Sequence, residues 1–279
     1  MSVDTALTAR SRPSALGGDL RRFWSLTYTL AATDFKLRFF GSALGYLWTL
    51  MRPLLLFGVL YFVFTEVVRF GDDIQHYPVY LLAAIVMFQF FSETTGRGVK
   101  ALVERENLLR KVRFPRLVIP LAVALHALFN LGLNLIVVFG FVFASGIDPR
   151  WTWLELIPLI LLLVAFSTSV AMLLSALYVR YRDMQPIWEV ALQILFYASP
   201  VIYVMEFLPD SLIEPGMANP LATILTQMRY ALIDPTAPSS AELIGGVGLL
   251  LIPLAVVVAA CALGWLVFTR EAPRIAEDL

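Results

Sequence analysis

GRGVKALVERENLLRKVRFPR, running from Gly96 to Arg116, decides how the rest of the chain is organised. It carries Arg97, Lys100, Arg105, Arg110, Lys111, Arg113 and Arg116 between two strongly apolar runs. A loop so charged, set between two candidate membrane spans, belongs in the cytosol. Its middle is amphipathic: Leu108, Leu109, Val112 and Phe114 gather on one side while Arg110, Lys111 and Arg113 stay wet. Pro115 disfavours helical geometry at Phe114, so a helix here must be short. A short cytosolic helix with one apolar face is a docking element, a knob through which a soluble partner moves a membrane-embedded body.

The composition demands such a body. Of 279 residues, 59% are hydrophobic and 15% charged, and the mean hydropathy is +0.78; the class is an all-α integral membrane protein. The formal net charge of zero is uninformative, because placement of the charges carries the signal. The single cysteine, Cys261, excludes an intramolecular disulfide and a thiolate metal cluster. Residues 1–19 are polar, read as a disordered cytosolic N-terminus, and lack the apolar core of a signal peptide.

Residues 20–40 mix Phe23, Trp24, Leu30 and Phe35 with Arg21, Arg22, Lys36 and Arg38, the pattern of an amphipathic interface helix on the cytosolic leaflet. The first span is expected over 43–68, with Arg52 close enough to its start to snorkel to the cytosol. A second begins near Val79, but its apolar part ends at Phe91 after about 13 residues, short of the roughly 20 a bilayer needs. It must therefore continue helically to Leu102 with Glu93 and Arg97 shielded by protein. Further spans are expected over 117–143, 154–177, 187–204 and 243–268, making six. Residues 206–233 are too polar to span and too rich in proline for one helix; short re-entrant or outer gate helices fit them. Under this topology 43–268 is one transmembrane domain, 269–279 is a cytosolic tail, and only Arg69, Arg150 and Arg229 fall outside. That asymmetry places both termini in the cytosol. No inverted internal repeat is visible.

Catalytic motifs are missing. The chain lacks G-x-x-x-x-G-K-[ST], H-E-x-x-H and G-x-S-x-G, and the nearest acidic and histidine grouping, Asp72, Asp73 and His76, reads as a solvated outer turn. Three polar ladders at helical spacing stand out instead: Gln89, Glu93 and Arg97; His126, Asn130 and Asn134; Gln185, Glu189 and Gln193. Polar groups in hydrocarbon turn toward protein or water, so each ladder either bonds helix to helix or lines a hydrophilic path. The aromatics Tyr46, Trp48, Phe57, Tyr61, Phe196 and Tyr197 carry the same two readings, lipid-facing bulk or sliding contacts for sugar rings. Lys36, Arg38 and Arg52 at the cytosolic mouth either set topology or meet a pyrophosphate head group.

Four motifs in order carry a resemblance: DFKLRF from Asp34 with SALGYLW from Ser42 and Pro53; ENLLRKVRFPR from Glu106; YRDM from Tyr181; SPVIY from Ser199 followed by Asn219-Pro220. Together they resemble the membrane subunit of ABC-2 type exporters of polysaccharides and lipid-linked glycans, the group handling O-antigen, teichoic acid, capsule or galactan. The resemblance implies a homodimer of six-span subunits in the cytoplasmic (inner) membrane, seated on two copies of a cytosolic ATPase that binds ATP and Mg. No cofactor or nucleic acid is expected on this chain. It also implies that Glu106, Asn107, Leu108, Leu109, Arg110, Lys111, Val112, Arg113 and Phe114 form the coupling helix, within 106–115. The first and fifth spans would line the channel. Two alternatives remain at this point: export of a small hydrophobic drug or lipid, and an integral membrane enzyme acting on a polyprenyl-linked glycan.

Overall fold

A computed structural model describes residues 20–39, 45, 47–69, 74–106, 108 and 115–271, with only the backbone of Arg38 and Phe39. Asn107, Leu109 to Phe114, Tyr46, Asp72 and Asp73 lie outside the described residues. The described chain is helical, with no strand. In chain order the helices are α1 (Leu20–Phe39), α2 (Leu47–Phe62), α3 (Tyr77–Glu104), α4 (Val118–Ala144), α5 (Leu156–Arg180), α6 (Met184–Ala198), α7 (Asp210–Met217), α8 (Pro220–Met228), α9 (Ser240–Leu243) and α10 (Leu251–Glu271). Single π-helical turns extend α2 over Val63–Val67 and α8 over Arg229–Ile233.

α3 is the axis of the fold. It starts on Pro78, whose missing N–H costs nothing in a first turn, and runs unbroken for 28 residues through Ser92, Glu93 and Arg97. Of its most apolar window 78% is buried, against 11% for α2 and 17% for α10, so neighbours enclose α3 while α2 and α10 face outward. α4 and α5 flank it, α2 and α6 cover another side, α10 packs on α5, and α1 lies along α4. Small residues allow two of these approaches. A Cβ added to Gly98 would stand 2.5 Å from the Ala171 Cβ, and one on Gly264 would stand 2.4 Å from the Ser169 carbonyl oxygen.

Three apolar clusters follow the bundle from end to end. At the end rich in basic residues, Phe23, Leu102, Val118, Met172 and Phe268 join α1, α3, α4, α5 and α10. The main cluster in the middle draws on α3, α4, α5 and α8. At the opposite end Met205, Met217, Ala222 and Ile244 close a small core under the short helices.

The expected spans need two corrections. Among the described residues five helices are long and apolar enough to cross a membrane; the fifth expected span, 187–204, is not among them because α6 has 15 residues, below the roughly 20 required. Pro200, which has no N–H to give a helix, stands two residues after α6 ends, and the chain bends over 199–203. The last span does not start at Leu243. Gly245 and Gly246 take φ of 93° and 140°, values open to glycine, and break α9 from the helical run that begins at Val247.

Candidate functional site

The polar stripe of α3 opens onto a cleft of about 760 Å³ between α2, α3 and α6. From α3 come Gln89, Ser92, Glu93, Arg97, Lys100 and Glu104. Their three- and four-residue spacing puts them on one face, so the ladder continues past Arg97 toward the basic end. α2 contributes Arg52, and α6 contributes Gln185, Trp188 and Glu189. On α6 the Gln185 Nε2 donates to Glu189 Oε1 at 2.8 Å. Gln193, one turn on, is exposed and outside the cleft lining.

Glu93 joins two of the ladders. Asn130 Nδ2 of α4 donates to its Oε2 at 2.8 Å and lies 3.0 Å from its Oε1. His126 Nε2 stands 3.8 Å from Oε1, and Arg97 Nη1, one turn along α3, stands 3.6 Å from it. Asn134 Nδ2 donates to the Asn130 carbonyl at 2.8 Å. His126, Asn130 and Asn134 are all buried. His126 and Asn130 thus fasten α4 to α3 while Asn134 bonds within α4, whereas Gln89, Glu93, Arg97, Gln185 and Glu189 border open space.

α1 is fastened to the same region. Its buried face is Phe23, Thr27 and Ala31, one residue every four, while Trp24, Tyr28 and Leu37 are exposed. Phe35 meets the His126 ring edge-on at 5.6 Å, and Asp34 pairs with Arg105 at the end of α3. Of the three cations expected at the mouth, Arg52 lines the cleft; Lys36 is exposed and does not line it. The Arg38 side chain lies outside the described residues. In the expected coupling helix, Glu106 and Leu108 are described, Leu108 being 37% exposed.

The aromatics divide by neighbour. Trp48 and Tyr197 are exposed. Phe57 stacks on Tyr61 and meets Phe141 of α4 edge-on, both at 5.6 Å. Phe196 lines the cleft and packs against Phe88 at 5.2 Å.

At the end away from the cleft's basic residues, a second polar group ties the short helices to α3. The Tyr77 hydroxyl donates to the Ile202 carbonyl at 2.9 Å. The Tyr80 hydroxyl lies against the carbonyls of Pro200 and Tyr203, 2.9 Å from the latter. Asn219 caps α8 by accepting from Leu221 N at 3.0 Å, and its Nδ2 donates to Ser199 Oγ at 2.9 Å. The two proline-containing motifs therefore meet in space. Buried Arg229 donates to Glu206 Oε1 at 2.5 Å, lies 3.9 Å from Asp234 Oδ2, and sits over the Tyr80 ring at 5.9 Å. Of these groups the sequence marked Ser199 to Tyr203 and Asn219 as motif residues and Arg229 as a stray cation; Tyr77 and Tyr80 gave no signal, since their partners lie far along the chain.

Among the described residues no three His, Cys, Asp or Glu side chains gather in a way that could hold a metal ion. What the arrangement can do chemically is present mixed hydrogen-bond donors and acceptors, with aromatic faces beside them, along one wall of a membrane helix bundle.

The chain is similar to the "O-antigen export system permease protein RfbA" of Myxococcus xanthus, 30% identical over 227 residues that cover 81% of this chain and 86% of that protein. The protein of the same name from Klebsiella pneumoniae is 28% identical over 219 residues, covering 78% and 84%. The "Polysialic acid transport protein KpsM" of Escherichia coli is 23% identical over 206 residues, covering 72% and 78%. The sequence model of the ABC-2 type transporter matches residues 25–233. With that match spanning most of the chain and continuous from α1 through α8, the protein belongs to the ABC-2 type transporter membrane family.

Proposed function

We propose that the chain is the membrane subunit of an ATP-driven exporter of a polysaccharide or lipid-linked glycan, working as a homodimer on two copies of a cytosolic ATPase. The observation that carries this reading is the cleft: a polar face of the most enclosed helix, flanked by α2 and α6, whose other faces are exposed and, Gln193 apart, mainly apolar. Two such subunits meeting through α2 and α6 enclose a channel between their clefts. ATP and Mg are bound by the partner; the segment 106–115 docks on it, and α1 lies at the cytosolic leaflet beside the mouth. Arg52, at the cleft, meets the pyrophosphate of the carrier lipid, with Lys36 and Arg38 on the approach. Trp48 and Tyr197 face the glycan path, with Phe57, Tyr61 and Phe196 backing it.

In this reading α6 and the segment after it are the fifth of six spans. Fifteen helical residues reach about 22 Å, and the next six, partly extended, supply the remainder of a hydrocarbon core of about 30 Å. Non-helical backbone at that depth needs protein partners, and the hydroxyls of Tyr77 and Tyr80 supply two. The segment 206–233 is then the outer gate, and both termini are cytosolic.

The test is reconstitution. The chain and a candidate ABC ATPase are purified together and placed in vesicles with a polyprenyl-pyrophosphate glycan. A stable complex that moves the glycan only when ATP is hydrolysed is expected. Absence of a complex, or glycan processing by the chain alone, defeats the reading.

A further inference from the structure

Resting on the export reading, we infer that the cleft selects an uncharged, polyhydroxylated glycan and discriminates against a polyanionic one. The relatives split between O-antigen and polysialic acid, so membership of the family does not decide the charge of the cargo. The lining does. Its described cations are Arg52, Arg97 and Lys100, and its described carboxylates are Glu93, Glu104 and Glu189. The two signs are matched in number, and on α3 they run Glu93, Arg97, Lys100, Glu104, with a carboxylate at each end.

A groove for a polyanion needs a surplus of positive charge, because each acidic sugar brought in must be compensated. Here Arg97 stands 3.6 Å from Glu93, which neutralises part of the cation a polyanion would use. Glu104 and Glu189 are exposed on opposite walls of the cleft, on α3 and α6, so a carboxylated chain between the walls meets like charge from both. A neutral sugar chain meets something different. Its hydroxyls both donate and accept, and the lining answers with the amides of Gln89 and Gln185, which do both, alongside donor-only cations and acceptor-only carboxylates. Trp188 and Phe196 in the same lining offer apolar faces to the C–H sides of sugar rings. Few of these contacts fix one orientation, which suits a chain that has to slide.

The test compares two ligands on the full chain in phosphatidylcholine nanodiscs: a mannose oligosaccharide and a glucuronate oligosaccharide of equal length, each on the same polyprenyl pyrophosphate. Because the carrier is common, the ratio of the two affinities reports the glycan alone. The mannose ligand is expected to bind about fivefold tighter, the ratio given by two like-charge contacts at roughly 8 Å through water. In the E104Q/E189Q double variant, whose lining carries a surplus of positive charge, the ratio falls to one or below through tighter binding of the glucuronate ligand. Glu189→Gln alone moves it about halfway on a logarithmic scale, which keeps the test available if the double variant folds poorly. Equal or inverted affinities in the natural sequence, or a ratio the variants leave unmoved, overturn the inference while leaving export intact. Binding of neither ligand counts against this inference and the export reading together.

Discussion

Replacing Asn130 by alanine separates the two roles that one sequence pattern suggested for the polar ladders. The side chain is 4% exposed and its amide holds the Glu93 carboxylate at 2.8 and 3.0 Å. A hydrogen bond to a charged group is worth about 1.5–3 kcal/mol in water-soluble proteins, yet interhelical polar contacts in membranes average nearer 0.6 with a ceiling of about 1.7. Glu93 is 12% exposed and borders a polar cleft, so water recovers part of what is lost. The smaller scale therefore applies to the contact itself, and Asn130→Ala is expected to cost about 1.5–2 kcal/mol once lost packing is included. Gln193→Ala, on the exposed side of α6, falls within about 0.5 kcal/mol of zero. Unfolding in mixed micelles at rising sodium dodecyl sulfate, followed by helical circular dichroism, reads both. Equal shifts for the two variants would falsify the assignment of the α4 ladder to helix fastening.

Three further outcomes follow from other contacts. Gly98→Ala places two Cβ atoms 2.5 Å apart at Ala171 and is expected to destabilise by about 1–3 kcal/mol, while Ala171→Gly in the same chain restores most of the loss; no rescue in the double-mutant cycle refutes the close approach. Asn219→Ala removes the α8 cap and the bond to Ser199, costing about 1–2 kcal/mol; protease sensitivity of the 206–233 segment should rise, and unchanged sensitivity argues against the link. Arg229→Met leaves Glu206 without its cation and costs about 3 kcal/mol in that segment; the R229M/E206Q pair recovers part of it, and the same protection assay decides.

The unbroken course of α3 was legible because its arithmetic left no choice. About 13 apolar residues cannot cross a bilayer, so Ser92 to Leu102 had to remain helical; its charges, expected to be shielded by protein, instead line an open cleft. The helical spacing of all three ladders was equally plain. Which way each faced was not, because spacing gives the face of a helix and says nothing of what stands opposite. Asn130 and Gln193 look alike in sequence; one meets Glu93 from a neighbouring helix and the other is exposed. The span ends failed for a different reason. Hydropathy stays high across Gly245 and Gly246 and across Ser199 and Pro200, and there backbone conformation rather than polarity ends the helix. The ties from Tyr77 and Tyr80 to residues 125 and 123 positions away are tertiary facts with no local trace.

The placement of these ties gives the export reading a mechanical form. α3 is fastened at three levels: Arg105 to α1, Glu93 to α4 at the cleft, and Tyr77 and Tyr80 to the segment 199–203. A helix of 28 residues is about 42 Å long, so a tilt of about 5° moves its far end by roughly 4 Å. That is more than a hydrogen bond of 2.9 Å tolerates. Gly98 meets Ala171 so closely that an added Cβ would stand 2.5 Å from the Ala171 Cβ; in the export reading this contact, between Glu93 and the proposed docking segment, is the pivot that multiplies a small push from the ATPase. Tyr77→Phe with Tyr80→Phe should therefore loosen the 199–206 segment without weakening ATPase docking. If the segment stays as protected as before, α3 is not the lever that joins the two ends.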